Sequence, residues 1–161
     1  MGSRTTPFIV GVVLILYLLT FSEGRQICKE GWEPFGDSCY YFGATLETWH
    51  SAMDLCTSEG GHLARVTSRA ENEYLKMRAR SFPDSNYWID VTDQGAPGTY
   101  VYGSTQAPVN FLDWNPGEPN DVNHHCVGLY HRFDFKWDDF SCSNKRRFIC
   151  EIKAECSMKC L

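Results

Sequence analysis

Eight cysteines constrain this chain more than any other feature of its sequence, and the first of them is Cys28. An even number of cysteines in an exported chain of modest size predicts a disulfide framework, although their spacing leaves every pairing open. The chain has 161 residues and many aromatic side chains, which is enough for one domain with a hydrophobic core. We therefore expect a small domain that is held together by a core and by disulfides.

The first residues differ from the rest of the chain. The segment 8–21 is almost entirely apolar, and small residues follow it at Ser22 and Gly24, where a signal peptidase would cut. The apolar run is shorter than the about 20 residues that a membrane span needs. An uncleaved anchor is the alternative to export, but we predict a secreted, extracellular protein without membrane insertion. The predicted division is a signal peptide at 1–24, a domain at 25–153 and a short tail at 154–161.

The charge and the motifs exclude two classes of function. The formal net charge is −5 at pH 7, which argues against a nucleic-acid binder because phosphate affinity comes from an excess of lysine and arginine. The basic run 145–147 is short, and we interpret it as the solvated face of a strand edge. The sequence has no nucleophile elbow, zinc-protease helix or phosphate loop, so we predict that the protein is not an enzyme.

The stretch 114–142 collects oxygen-bearing side chains beside two tryptophans and two cysteines. Such groups repel each other when they converge, unless a hard cation lies between them. Calcium takes about 6–8 oxygen ligands from carboxylates, amides, carbonyls and water. The stretch therefore predicts a Ca²⁺ site, with the candidate oxygen donors Glu118, Asn120, Asp121, Asp134, Asp138 and Asp139.

The spacing of apolar residues predicts both helices and strands. Apolar residues at helical spacing predict a helix over 46–59, and Ser68 with Glu71 forms a capping-box pattern that opens a second helix ending near Ala79. The region 92–119 has no periodicity, and such long loops usually bind something. Extended segments are predicted as a hairpin at 28–42 and as strands at 62–66, 87–91, 126–130 and 147–152.

Two short motifs identify a known family. Glu118-Pro119-Asn120 and Trp137-Asp138-Asp139, with Cys126 between them and Cys142 after them, resemble the motifs of the C-type lectin domain. The resemblance covers most of the mature chain, and residues 28–42 resemble the extension of its longer members. It implies an α+β fold in which two short helices pack on small antiparallel sheets, with a long irregular calcium and sugar loop and disulfide staples. Asp90 stands where this family usually has glycine.

The same resemblance implies how the cysteines pair. The implied bonds are Cys28–Cys39, Cys56–Cys150 and Cys126–Cys142. Cys156 and Cys160 remain, and they either pair with each other or link the chain to a second copy, which would give a homo-oligomer.

The resemblance also assigns the site residues. In this family two neighbouring sugar hydroxyls give lone pairs to calcium, donate protons to carboxylates and accept hydrogen bonds from amides. Glu118 would be an acceptor and Asn120 a donor, in the order typical of members that bind mannose, fucose and N-acetylglucosamine, and the Glu118–Pro119 bond is expected to be cis. The expected metal ligands are Glu118, Asn120, Asp138 and Asp139, and the expected sugar contacts are Glu118, Asn120, His124 and Asp138.

Two positions depart from the family pattern. His124 stands where glutamate is usual, and Asp138 stands where asparagine is usual. Their roles could be exchanged, with Asp138 as acceptor and His124 as donor to the sugar or to an outer carboxylate, while Asn123 or water completes the metal shell. We disfavour a zinc site made by His124, His125 and Asp138 because adjacent histidines lack the usual ligand spacing.

A second, auxiliary calcium site is also disfavoured. Asp121 matches one of its family ligands, but residues 103–105 supply no acidic side chain. The predicted function is a secreted, calcium-dependent lectin for mannose-type glycans on cell or microbial surfaces, in innate immune recognition or cell agglutination. The alternative is the same fold used to bind protein, ice or mineral without sugar.

Overall fold

The computed structural model describes residues 26–82 and 84–156. The signal peptide expected at 1–24 and the side chains of Cys156 and Cys160 lie outside the described part, so those expectations and the domain boundaries stay predictions. In the described part, no helix is long and apolar enough to cross a membrane. The contacts divide it into a main unit, 28–154, and an antiparallel pair made by β1 (Gln26–Ile27) and β9 (Glu155–Cys156).

The main unit is built on one mixed sheet. The elements run in the order β2 (Glu33–Phe35), β3 (Ser38–Glu47), α1 (Trp49–Ser58), β4 (His62–Leu63), α2 (Arg69–Ala79), β5 (Tyr87–Thr92), β6 (Cys126–Tyr130), a 3₁₀ turn (His131–Phe133), β7 (Lys136–Phe140) and β8 (Arg146–Lys153). Within the described residues the strand order of the sheet is β2-β3-β8-β5-β6-β7, and β4 pairs with β8 on the edge that faces away from β3. All pairs are antiparallel except β5 with β8.

The first helix begins later than its periodicity predicts. The sequence predicted residues 46–59, but Glu47 still pairs with Arg146 of β8, and the Thr48 hydroxyl caps the helix by accepting from the Ser51 N–H at 3.2 Å. Trp49, Ala52 and Cys56 form its buried face. Leu46 was therefore wrongly assigned to the helix, because its apolar side chain happens to extend the helical spacing into a strand.

The second helix is capped as predicted at its start, but only half of the capping box forms. The Ser68 hydroxyl accepts from the Glu71 N–H at 3.2 Å. The Glu71 carboxylate does not return to Ser68. It is buried, and it accepts instead from the Thr67 N–H at 2.8 Å and from the Tyr40 hydroxyl at 2.6 Å. The carboxylate thus ties α2 to β3 rather than closing on its own helix.

The structure confirms most of the predicted strands, shortens one of them and adds another. The hairpin at 28–42 is confirmed as β2 and β3, and the predicted strands at 87–91, 126–130 and 147–152 correspond to β5, β6 and β8. The predicted strand 62–66 is limited to His62–Leu63, because Val66 and its neighbours pack in the core without a continuous ladder. Strand β7 was not predicted. Its sequence KWDDF places three charged residues in five, although four of the five are buried.

Disulfides and aromatic rings hold the unit together. In the described part the three expected bonds are present, and Cys56–Cys150 closes the longest loop, with a separation of 94 residues that joins α1 to β8. In the chain-entropy model such a loop stabilises the fold by about 4–5 kcal/mol. Trp49, Trp88 and Trp137 are the largest fully buried side chains.

Asp90 shows how the chain accommodates a charged group where glycine was expected. The side chain is fully buried on β5 and accepts hydrogen bonds from the Ser104 N–H at 3.0 Å and from the Ser104 hydroxyl. Burial raises the pKa of Asp90 to about 6, against the hydrogen bonds from Ser104, which lower it. Ser104 therefore satisfies the buried carboxylate, and β5 still pairs with β6 and β8.

Gly61 is a position where any side chain should destabilise the fold. A Cβ at Gly61 would lie 2.2 Å from the backbone oxygen of Glu151, which cannot retreat while His62 pairs with Glu151. We predict that Gly61→Ala lowers the free energy of unfolding by about 2–3 kcal/mol, measured by urea denaturation. The control is Gly95→Ala, whose Cβ meets nothing within 4 Å. Equal losses in the two variants would contradict the prediction.

Candidate calcium and ligand site

The long loop, residues 93–125, meets strand β7 at a cluster of three acidic side chains. Glu118 comes from the loop, and Asp138 and Asp139 come from β7. One oxygen from each carboxylate lies within 4.8 Å of the others. Asp139 is 1% exposed and Asp138 is 8% exposed, so water screens neither charge well. We call these three residues the carboxylate cluster.

Backbone hydrogen bonds bring the loop to β7. The Trp137 N–H donates to the Asp113 carbonyl at 2.9 Å, and the Asn115 N–H donates to the Trp137 carbonyl at 2.9 Å. The Trp137 indole is fully buried, and it packs edge-on against Trp114 with ring centroids 5.9 Å apart. The tryptophan thus fixes the loop on the strand directly before the two aspartates of the cluster.

A partly buried ionic network supports the same junction. The Asp113 carboxylate accepts from Lys136 at 2.8 Å, from Asn72 at 2.8 Å and from Lys76 at 3.0 Å. Burial acts to raise the pKa of Asp113, but these hydrogen bonds outweigh it and hold the pKa below its usual value. The Asn72 side chain also accepts from the Trp137 indole N–H at 3.0 Å. Helix α2, the loop and β7 are therefore connected through one carboxylate.

The Glu-Pro-Asn segment is held against the cluster by backbone donors. The Asp139 carboxylate accepts from the Asn120 N–H at 3.1 Å and from the Asp121 N–H at 3.4 Å. The Glu118–Pro119 bond is cis, as expected. The Asn120 side chain is exposed beside the cluster. The structure thus brings together Glu118, Asn120, Asp138 and Asp139, and their assignment as metal ligands stays a prediction.

The electrostatics of the cluster favour a cation. Two full charges within 4.8 Å of each other repel by at least about 3 kcal/mol at an effective dielectric constant of about 20. Burial, followed by the charges of Asp138 and Asp139, raises the pKa of Glu118 to about 7. Burial and Asp139 also raise the pKa of Asp138. Among the described residues, the buried Oε2 atom of Glu118 has no hydrogen-bond partner. An oxygen cluster with one unsatisfied acceptor fits Ca²⁺.

His124 lies at the edge of the cluster, beside its carboxylates. Its Nδ1 atom is 3.7 Å from Asp139 Oδ2, and its Nε2 atom is 3.8 Å from Asp121 Oδ2. This position is compatible with a contact to an outer carboxylate or to a sugar, and both stay predictions. The Asn123 amide is directed at Asp121, 3.3 Å from its Oδ1 atom, and not at the cluster. Nothing in this geometry places Asn123 in a metal shell.

The environment of Arg146 differs from the one that its sequence predicts. The side chain was expected to be solvated, but its guanidinium lies 3.4 Å from the centre of the Phe140 ring and 5.2 Å from that of Trp88. Burial lowers its pKa to about 10, against the charge of Asp138, which raises it. Arg146 in turn acts to lower the pKa of Asp138. A stacked cation therefore balances part of the charge of the cluster, and only the tertiary fold reveals it.

Comparison with known proteins identifies the family. A family model described as the Lectin C-type domain matches residues 45–152. Salivary C-type lectin 2 of Aedes albopictus is 32% identical over 148 residues, which cover 84% of this chain and 97% of that protein. Asialoglycoprotein receptor 1 of Mus musculus is 32% identical over 136 residues, 81% of this chain, but this chain spans only 46% of that receptor.

Solved structures agree with this assignment. The carbohydrate-recognition domain of the mouse scavenger receptor C-type lectin has a TM-score of 0.75 at 28% identity, over 80% of this chain and all of that one. That of cow CD23, solved in the presence of a GlcNAc2Man3 oligosaccharide, has a TM-score of 0.73 at 29% identity, over 82% of this chain and all of that one. A calcium-independent type II antifreeze protein has a TM-score of 0.74 at 29% identity, over 83% of this chain and 99% of that one.

The predicted α+β fold with two helices, antiparallel-rich sheet and disulfide staples is therefore the one that these proteins share. The residues matched by the family model, 45–152, include the motifs at 118–120 and 137–139. The chain belongs to the C-type lectin domain family.

Proposed function

We propose that this protein is a secreted lectin that binds mannose-type glycans through Ca²⁺. The observation that carries the proposal is the carboxylate cluster, whose oxygens converge within 4.8 Å and include the unpartnered Glu118 Oε2. The fold is used for sugar binding by relatives, since cow CD23 was solved in the presence of an oligosaccharide. The proposed activity is binding alone, with no catalytic step.

Four residues of the chain would hold the ion. Glu118, Asp138 and Asp139 supply carboxylate oxygens, and Asn120 supplies an amide oxygen. The bound Ca²⁺ would supply a positive centre for the lone pairs of two neighbouring sugar hydroxyls. Glu118 and Asp138 then accept protons in hydrogen bonds from those hydroxyls, and the Asn120 amide donates to one of them. His124, at the rim, is the proposed donor to the other.

Retention on immobilised mannose tests this function. The purified protein should bind the column in millimolar Ca²⁺ and should elute with a chelator or with free mannose, but not with galactose. A site that contacts two hydroxyls should have a dissociation constant on the order of millimolar for one monosaccharide. Retention that survives the chelator, or calcium uptake without retention on any of mannose, fucose and N-acetylglucosamine, would contradict the proposal.

The second candidate function is ice binding on the same fold. It is favoured by the likeness to a type II antifreeze protein that is described as calcium-independent. The two functions differ in their metal requirement, because an ice-binding face of that kind would not need the carboxylate cluster to be filled. Thermal hysteresis that is measured in excess chelator separates them. Activity there, with no retention on mannose, would favour the ice-binding function.

The pH dependence of calcium binding should report on Glu118. Its pKa is raised from 4.5 to about 7, so the calcium-free fold should lose stability as the pH rises through that interval. Calcium needs the ionised carboxylate, so a proton competes with the ion below about pH 7. We expect the apparent calcium affinity to fall about tenfold per pH unit from about 7 to about 5. Calorimetry in buffers of different ionisation enthalpy counts the released proton.

A histidine variant identifies the source of that proton. His124→Asn removes the imidazole at the rim and leaves the carboxylate cluster intact, so its calcium affinity should keep the same dependence on pH as the wild type. A profile that becomes flat in His124→Asn would assign the proton to the imidazole instead. A profile that is flat in the wild type would remove both groups from the site.

We also propose that the tail allows several copies of the site to act together. Weak single sites gain about 10²- to 10⁴-fold in avidity when they are linked. The cysteines at 156 and 160 are the candidates for a bond between chains. A non-reducing gel should show a dimer that a reducing gel removes, and a monomer on both gels would indicate that the two cysteines do not link chains.

A further inference from the structure

A cavity elsewhere on the main unit is lined by elements that the proposed calcium site does not use. It lies between β3, α1, β8 and the segment 30–32, and none of its lining residues belongs to the long loop or to β7. Its volume of about 380 Å³ is in the range that is common for ligand sites. We call it the aromatic cavity, and the lining residues that matter below are Glu30, Trp32, Tyr41, Leu55, Glu59 and Phe148.

Three rings form the walls of the aromatic cavity. Trp32 and Phe148 are buried, and Tyr41 is half-buried with its ring centroid 5.5 Å from that of Trp32. Gly43 leaves room for the Phe148 ring, because a Cβ at that position would lie 2.5 Å from it. Leu55 on α1 is 41% exposed at the same cavity. Such walls can hold an apolar group, and aromatic faces also attract cations.

The charges that line the aromatic cavity are all negative. Glu30 and Glu59 line it, and none of its lining residues is basic. Glu30 is exposed and has no ion-pair partner in the described part of the chain. Helix α1 ends at Ser58, and its last turn contains no basic residue, so the negative end of the helix adds to the same potential. The cavity therefore favours a cationic ligand over a neutral or acidic one.

Lys29 shows that a cation is accommodated beside this cavity. Its ammonium donates to the Glu59 carboxylate at 2.6 Å and to the Glu59 carbonyl at 3.1 Å, and it lies 4.5 Å from the centre of a Trp32 ring. The side chains of Lys29 and Glu59 are 40% and 54% exposed. Exposed ion pairs contribute little to stability, so another cation can replace Lys29 at Glu59. The charge of Glu30 remains unbalanced even while Lys29 is in place.

We propose that the aromatic cavity binds an arginine side chain of a partner protein, with an apolar residue next to that arginine packed on Leu55. A guanidinium stacks on aromatic rings and forms paired hydrogen bonds with carboxylates, which a compact ammonium cannot do. It would pair with Glu30 and take the place of Lys29 at Glu59. A free small cation would leave the exposed Leu55 uncovered. The net charge of −5 also favours association with a basic partner.

Titration with a blocked tripeptide tests the proposal. The probe carries arginine between two leucines, and its matched control carries citrulline, which has nearly the same shape without the charge. Heteronuclear NMR of the isotope-labelled protein should show shifts of the Glu30, Trp32 and Leu55 amides. The citrulline peptide should bind at least about tenfold more weakly. Agmatine, which is arginine without its carboxyl group, should also bind at least about tenfold more weakly, because it does not cover Leu55.

Variants locate the charge that binds the probe. Glu30→Gln should weaken binding of the tripeptide by about two- to fivefold. Lys29→Ala should strengthen it by about the same factor, because it frees the Glu59 carboxylate and one face of Trp32. A folding defect cannot produce such a gain. The matched control is Asp54→Asn, which removes an exposed charge of α1 that does not line the cavity, and it should bind as the wild type does.

The outcomes are independent of the lectin function. Binding of the tripeptide should be the same in Ca²⁺ and in chelator, and the same in Glu118→Gln as in the wild type. Equal binding of the citrulline peptide, or of agmatine, would overturn the proposal. Weaker binding by Lys29→Ala, unchanged binding by Glu30→Gln, or binding that disappears in chelator would also overturn it.

Discussion

Glu118→Gln is expected to reduce calcium affinity by about 100-fold and to abolish retention on mannose. The change removes one of three charges in a cluster whose oxygens lie within 4.8 Å, and calcium affinity depends strongly on the number of charged ligands. It should also stabilise the calcium-free fold at pH 8, because the amide no longer repels Asp138 and Asp139. The variant should therefore lose function while it gains stability, which a general folding defect cannot produce.

Thermal unfolding with and without the ion measures both effects. An ion at 100 times its dissociation constant stabilises the wild type by about 2.7 kcal/mol, and the same concentration should stabilise Glu118→Gln by less than about 0.5 kcal/mol. The matched control is Asp134→Asn, which removes an equal charge from the same stretch. Asp134 is exposed, outside the cluster and paired with Arg80 at 2.8 Å. Equal calcium stabilisation of Glu118→Gln and the wild type would rule out the cluster as the site.

The most accurate predictions from the sequence are those for site residues that lie within short motifs. The Glu-Pro-Asn and Trp-Asp-Asp segments could be recognised from the sequence, because each contains its oxygen-bearing side chains within three consecutive residues. The disulfide pairs followed from the family resemblance and not from spacing. Strand β7 was missed since adjacent aspartates are rare inside sheets, and here their burial depends on the converging loop.

The rest of the site depends on contacts between distant residues, which no local pattern records. His125 and Asp93 are 32 residues apart and meet only because the long loop closes on itself. Arg146 was interpreted as a solvated charge, yet its guanidinium, at the start of β8, stacks on Phe140 at the end of β7. No sequence pattern pointed to Asp113, although its carboxylate joins α2 to β7 through Lys76 and Lys136. Side chains of this kind are identified by what the fold places against them.

Trp137 links the fold to the cluster, and its removal should have the largest effect on stability. We predict that Trp137→Ala lowers the free energy of unfolding by about 3–5 kcal/mol, because the side chain is fully buried and packs against Trp114 and Phe111. The cavity would also loosen the strand that carries Asp138 and Asp139. Urea denaturation in chelator measures the first effect, and calorimetry with Ca²⁺ at low temperature measures the second.

Two further variants separate packing from hydrogen bonding. Trp137→Phe keeps an aromatic ring but leaves Asn72 Oδ1 without the indole N–H, so it should cost about 1–3 kcal/mol. Leu112→Ala, in the same loop but 54% exposed, should change stability by less than about 0.5 kcal/mol. If Trp137→Ala keeps wild-type calcium affinity in the folded state, the carboxylate cluster is positioned without the tryptophan. The junction through Asp113 would then be sufficient to hold the loop on β7.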